Sequence, residues 1–119
     1  MKLTAKVDHQ ILAENVHVAN HFFQRLRGWM GKRKVLPHEG LLLQPCNSIH
    51  TFFMKIEIDA CFLDADNHIV FMLERIKPYS VSPIIQSANK ILELQGGRLE
   101  FLKISIGNTV TFNTNSNES

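Results

Sequence analysis

The stretch Ala60-Cys61-Phe62-Leu63-Asp64-Ala65-Asp66-Asn67-His68-Ile69-Val70-Phe71-Met72-Leu73 decides how the chain is read. Two short apolar runs, 60–63 and 69–73, flank four turn-forming residues, and Asn67 tolerates positive φ. The segment therefore reads as a β-hairpin. The same grammar extends outward. Residues 41–43, 49–54, 91–94 and 109–112 are short apolar runs bounded by breakers, which predicts further strands. Leu3, Ala5 and Val7 alternate with polar residues, and so do Val16 and Val18, which adds two early strands around a turn. Asn20 is placed to cap a helix whose apolar positions Phe22, Phe23, Leu26 and Met30 recur at helical spacing up to Gly31. Residues 81–88, around Pro83, read as an irregular connection, and 98–102 as a short helix or another strand. The expectation is an α+β fold: a compact, barrel-like, mostly antiparallel β-sheet with one main amphipathic helix near the N-terminus.

A chain of 119 residues, 45% hydrophobic, suffices for one core and not for two. One domain is expected over 1–112, followed by a polar tail, 113–119, that has nothing to bury. No apolar run approaches the ~20 residues of a membrane-spanning helix. The first seven residues carry charge without an export-signal apolar stretch and read as the first strand, so Cys46 and Cys61 are expected to be free thiols in the cytoplasm. Net charge is +2, yet Arg25, Arg27, Lys32, Arg33 and Lys34 follow one another with no acidic residue between them. Such a cluster can meet phosphate or an acidic partner, but a solvated loop explains it more simply, and nucleic acid is not the favoured partner.

Four segments carry a resemblance when taken in order: Arg25-Leu26-Arg27-Gly28-Trp29-Met30, His50-Thr51-Phe52-Phe53-Met54-Lys55, Ile58-Asp59-Ala60-Cys61-Phe62-Leu63-Asp64 and Ile91-Leu92-Glu93-Leu94-Gln95-Gly96-Gly97. Over residues 10–112 the chain resembles the bacterial and archaeal family called domain of unknown function 192. That resemblance implies a compact, barrel-like β structure with one or two helices, and implies almost nothing about activity. Many relatives carry an export or lipoprotein segment ahead of the domain, whereas this chain opens on its first strand, so an envelope location is not carried over. Trp29 stands where the family usually has Leu, Asn67 where a turn Gly is common, and Asn108 where Gly-Asp is common. These changes are structurally mild and put no site in doubt.

Candidate chemistry gathers around His50. Cys46, Ser48, His50 and Thr51 place a thiol, two hydroxyls and an imidazole within six residues. A Cys-His nucleophile needs contact between the two, and residues four apart on an extended strand stand ~13 Å apart, so a buried structural thiol is the simpler reading. Cys46, His50, Met54, Asp59 and Cys61 form a mixed ligand set without the tight spacing of metal sites, and no metal or other cofactor is expected. Asp64 is a turn residue. Glu93 lies between Leu92 and Leu94 and projects opposite to them; if that face is covered it needs a partner such as Arg25, Arg75 or His50. Trp29, Met30, Phe52, Phe53 and Met54 supply core packing or the apolar wall of a small cleft. No phosphate-cradling Gly motif and no Gly-x-Ser-x-Gly elbow is present.

The sequence thus points to a binding or accessory module, monomeric or weakly self-associating, for an unknown small molecule or protein. Its expected ligand-binding residues are Cys46, Ser48, His50, Thr51, Met54, Asp59 and Glu93, with the basic segment nearby. The rival reading is a small hydrolase or transferase using Cys46 or Ser48 with His50, and whether the chain catalyses anything stays open at this point.

Overall fold

The computed structural model describes residues 2–114, without the side chains of Phe22, Phe23 and Leu26. Seven strands form it: β1 (Lys2–Val7), β2 (Gln10–Ala19), β3 (Glu39–Leu43), β4 (Ile58–Leu63), β5 (Ile69–Ile76), β6 (Lys90–Gln95) and β7 (Thr111–Thr114). Helix α1 (Phe22–Arg27) and helix α2 (Arg98–Leu102) have six and five residues. The strands make one sheet in the order β5-β4-β6-β3-β2-β1-β7.

This corrects the expected α+β barrel with a main N-terminal helix. The sheet is mixed, because β2 and β3 pair in parallel, and it is open: β5 and β7 are its edges, and the residues leading into them meet at one end, where His68 and Thr109 form an isolated bridge. The helix is short because Gly28 takes φ +48 directly after Arg27 and breaks the helical path well before Gly31. His21 rather than Asn20 occupies the N-cap, while the Asn20 carbonyl accepts from Arg25 Nη1 at 2.8 Å. The apolar stripe expected on Phe22, Phe23 and Leu26 lies outside the described side chains. Parallel pairing of consecutive strands demands a crossover, which is how residues 20–38, with the whole basic cluster, come to lie across one face of the sheet.

The hairpin of β4 and β5 forms as expected, with Asn67 at φ +66 and the Asp64 carboxylate accepting from the backbone N–H groups of Asp66 and His68. The expected strand at 49–54 does not form. Residues 49–51 instead lie beside 80–82, with His50 and Val81 in an isolated bridge, and the chain then turns at 52–54. Asn113 and Thr114, grouped with the polar tail by sequence, lie in β7, and 115–119 fall outside the described residues.

Side chains alternate across the sheet into two buried clusters. Ala13, Val16, Cys61, Leu63, Leu92 and Leu94 pack with α2 through Leu99 on one face; Leu41, Leu43, Ala60, Phe62 and Ile91 pack with Trp29, Val35 and Met54 on the other. Among the described residues no helix is long and apolar enough to cross a membrane.

Candidate functional site

β6 is a central strand, flanked by β4 and β3, and Leu41, Glu93 and Ala60 stand abreast across the three. Strand alternation aims Glu93 into the face covered by the 20–38 crossover and the 44–57 connection. These two coverings are tied together where Gly31 N–H donates to the Phe53 carbonyl at 3.0 Å. They do not seal the sheet. A cleft of about 440 Å3 remains between them, with Leu43 and Glu93 on its floor, Ile49, Phe52, Met54 and Val81 on its apolar sides, and Arg25, Arg27, Cys46, Ser48 and His50 as its polar groups.

Glu93 is the unusual member. It is 1% exposed, and its Oε1 has no hydrogen-bond partner among the described residues. The partners considered from sequence do not pair with it: Arg75 pairs with Glu100 at 3.4 Å on the surface, and His50 Nδ1 accepts from Phe52 N–H at 3.2 Å. Burial with no compensating charge pushes the Glu93 carboxyl up to about 8, which favours its protonated form at neutral pH. Gly28 roofs it; a Cβ there would stand 3.7 Å from Oε1 and 3.8 Å from Met54 Cε.

Cys46 is half-buried, and its thiol donates to the Ser48 carbonyl at 3.1 Å rather than bonding His50. Its burial, with Glu93 nearby, raises the thiol above its ordinary value against smaller opposing effects of the Ser48 hydrogen bond and Arg25. A thiol that holds its proton and has no imidazole contact lacks the features of an activated nucleophile. His50 stacks against Phe52, ring centres 5.0 Å apart, and the aromatic group continues outward through Phe52 and Tyr79 to Phe53. Phe53 and Tyr79 are largely exposed and both hold positive φ, +64 and +60, a strained backbone that bulky residues seldom adopt.

Two expected site residues lie outside the lining of this cleft and are held by hydrogen bonds. Thr51 Oγ1 donates to the Lys77 carbonyl at 2.7 Å and accepts from Ser80 N–H at 2.8 Å, fastening the 44–57 connection to the segment after β5. Asp59 points to the opposite face from Glu93; Oδ1 accepts from Arg75 N–H at 2.8 Å and Gly97 N–H at 2.9 Å, and Oδ2 from Leu99 N–H at 2.9 Å. Within the basic segment Lys32 pairs with Glu39 at 3.2 Å, while Arg33 and Lys34 are exposed and line no part of this cleft. The apolar walls Leu43, Ile49 and Val81 escaped sequence reading, since single aliphatic residues in loops and strand ends carry no periodic signal.

A second hollow, about 670 Å3, lies beside α1 along Ala19 and Leu41. It is larger but more open, and no buried, unpartnered polar atom faces it. Among the described residues no group of three or more His, Cys, Asp or Glu could hold a metal ion.

Comparisons with known proteins agree on kinship. A UPF0127 protein of Thermococcus sibiricus is 31% identical to this chain over 124 residues, covering 98% of this chain and 78% of its own. The crystal structure of a protein of unknown function from Novosphingobium aromaticivorans superposes with a TM-score of 0.82 at 19% identity, over 92% of this chain and 83% of the other. A Sinorhizobium meliloti protein, provisionally described as a transcription regulator, gives 0.79 at 23% identity over 93% and 92%, a likeness that carries the fold alone. The family model of DUF192, an uncharacterised ACR family, matches residues 3–112, and the chain belongs to that family.

Proposed function

We propose that this chain is a small binding module that holds a ligand in the cleft around His50, with Cys46, Ser48, Met54 and Glu93 among the groups that meet it. One observation supports this above the others: a carboxyl on a central strand, 1% exposed, with an unpartnered oxygen, lining a cleft of apolar walls and a few polar groups. Leaving such a group unsatisfied costs about 1–3 kcal/mol, and a leucine in its place would cost nothing of the kind. A bound molecule that satisfies Oε1 offsets that penalty. The mixture of apolar walls with a few convergent polar groups is that of small-molecule sites. Two free thiols on opposite faces of the sheet, Cys46 and Cys61, support a reducing, cytoplasmic setting.

Labelling the methyl groups of the four methionines tests the reading. Met54 lines the cleft, and Met72 packs on the opposite face. A set of small acids, amines, alcohols and aromatics should contain members that shift the Met54 methyl resonance and leave Met72 in place. If no member does so, the binding reading fails.

A further inference from the structure

The charges around Glu93 restrict the class of ligand. From α1, Arg25 and Arg27 face the cleft; from the 44–57 connection, Cys46 and His50 do; from the flanking strands, Leu41 and Ala60 beside Glu93 carry no charge. Neither arginine belongs to an ion pair among the described residues, and Arg25 commits one N–H to the Asn20 carbonyl, leaving four for other partners. With Glu93 holding its proton, the cleft combines two cationic side chains and one protonated acid with apolar sides. It repels a cation and leaves a neutral molecule's polar end without a matching charge.

Resting on the binding reading above, we propose that the ligand is a small amphipathic monocarboxylate: its carboxylate accepts a hydrogen bond from the Glu93 carboxyl and is neutralised by Arg25 and Arg27, while its chain lies along Leu43, Ile49 and Met54. A carboxylic acid beside a carboxylate forms a short, charge-assisted hydrogen bond, and guanidinium groups suit carboxylates geometrically. The buried acid is then a recognition element and a pH sensor together. Its proton lies on Glu93 near neutral pH, because burial holds that carboxyl up to about 8, well above an ordinary aliphatic acid. When Glu93 loses its proton, two like charges face each other and the ligand leaves. The volume of about 440 Å3 falls in the usual range for small-molecule sites.

Three probes with one eight-carbon chain test this on the full chain by calorimetry: octanoate, octanol and octylammonium. Octanoate should bind most tightly. Its affinity should fall up to about tenfold per pH unit once Glu93 ionises, with the ratio between about pH 6 and about pH 9 large for the protein and near one for Glu93→Gln. Changing Arg25 and Arg27 together to Met should weaken octanoate about tenfold or more, whereas Arg33→Met should not, circular dichroism confirming that each variant is folded. Tighter octylammonium binding, with a proton released to buffer, would overturn the carboxylate assignment and leave the binding reading standing. So would octanol binding as tightly as octanoate, or a pH profile unmoved by Glu93→Gln. Failure of all three probes to shift the Met54 methyl up to millimolar concentration would overturn the proposal, and the wider set of small molecules described above then decides the binding reading separately.

Discussion

Asp59 and Glu93 are both buried carboxyls on neighbouring central strands, 0% and 1% exposed, yet they serve opposite ends. Asp59 faces α2 and accepts three backbone N–H groups that would otherwise be stranded where β5, the Gly96-Gly97 turn and α2 meet. Gly97 makes that meeting possible by taking φ +88 so close to Arg75 that an added Cβ would stand 2.7 Å from the guanidinium. Glu93 faces the cleft with an oxygen that no described group satisfies. Burial alone therefore does not distinguish structure from function. The distinction lies in whether the buried polar group is answered from within the chain.

The sharpest way to break the comparison is to remove Asp59. Asp59→Ala strands three N–H groups and should destabilise the protein by about 3–5 kcal/mol in urea unfolding. A loss below about 1 kcal/mol would mean that water replaces the carboxylate and that the two sites are alike.

Glu93 should respond oppositely. Its folded-state value lies near 8 against an ordinary 4.5, so between these limits the folded protein holds a proton that the unfolded chain has released. That contribution is fully present below about pH 4.5 and is lost as pH rises to about 8, at about 1.4 kcal/mol per pH unit. Measured as wild type minus Glu93→Gln, which cancels every other titration, stability should decline through this window. A flat difference would place an unseen partner on Glu93.

The same two-sidedness extends to the thiols. Cys61 is completely buried on the Asp59 face, whereas Cys46 lines the cleft with its thiol raised by burial. Iodoacetamide near pH 7 should modify Cys46 more slowly than free cysteine, and Cys61 only after unfolding. Fast labelling of Cys46 whose rate falls in His50→Gln would revive the nucleophile that the sequence allowed.

The smallest effect is expected away from both carboxyls. Arg33→Glu with Lys34→Glu should change stability by no more than about 0.5 kcal/mol, since exposed loop charges gain little on folding. A larger loss would show that the basic crossover braces the sheet as well as roofing the cleft.

Local pattern was enough for much of this. The alternation of residues 2–7, the breaker-bounded runs of β3, β4, β5 and β6, the Asp64 turn and the family motifs were all legible because each depends on residues within a few positions of one another. Even the placement of Glu93 opposite Leu92 and Leu94 followed from strand period alone. Misreadings arose where the answer depended on distant chain. Residues 49–54 have a strand-like composition, but the backbone groups of Ile49 and Thr51 are taken up by 79–82, and Thr51 is fixed by Lys77 and Ser80. Residues 20–31 read as a helix from their apolar spacing, but Gly28 takes a positive φ over Glu93 and ends it early.

The sequence by itself determined most of the strands, the family and the fact that Glu93 must face a different layer from its neighbours, since period and composition are properties of short windows. Only the tertiary structure decided that β2 and β3 run parallel, that the sheet stays open, that Asp59 is satisfied and Glu93 is not, and that Cys46 and His50 share a cleft without bonding. Whether a buried polar group finds a partner depends on which distant backbone arrives beside it, and no window of sequence contains that information.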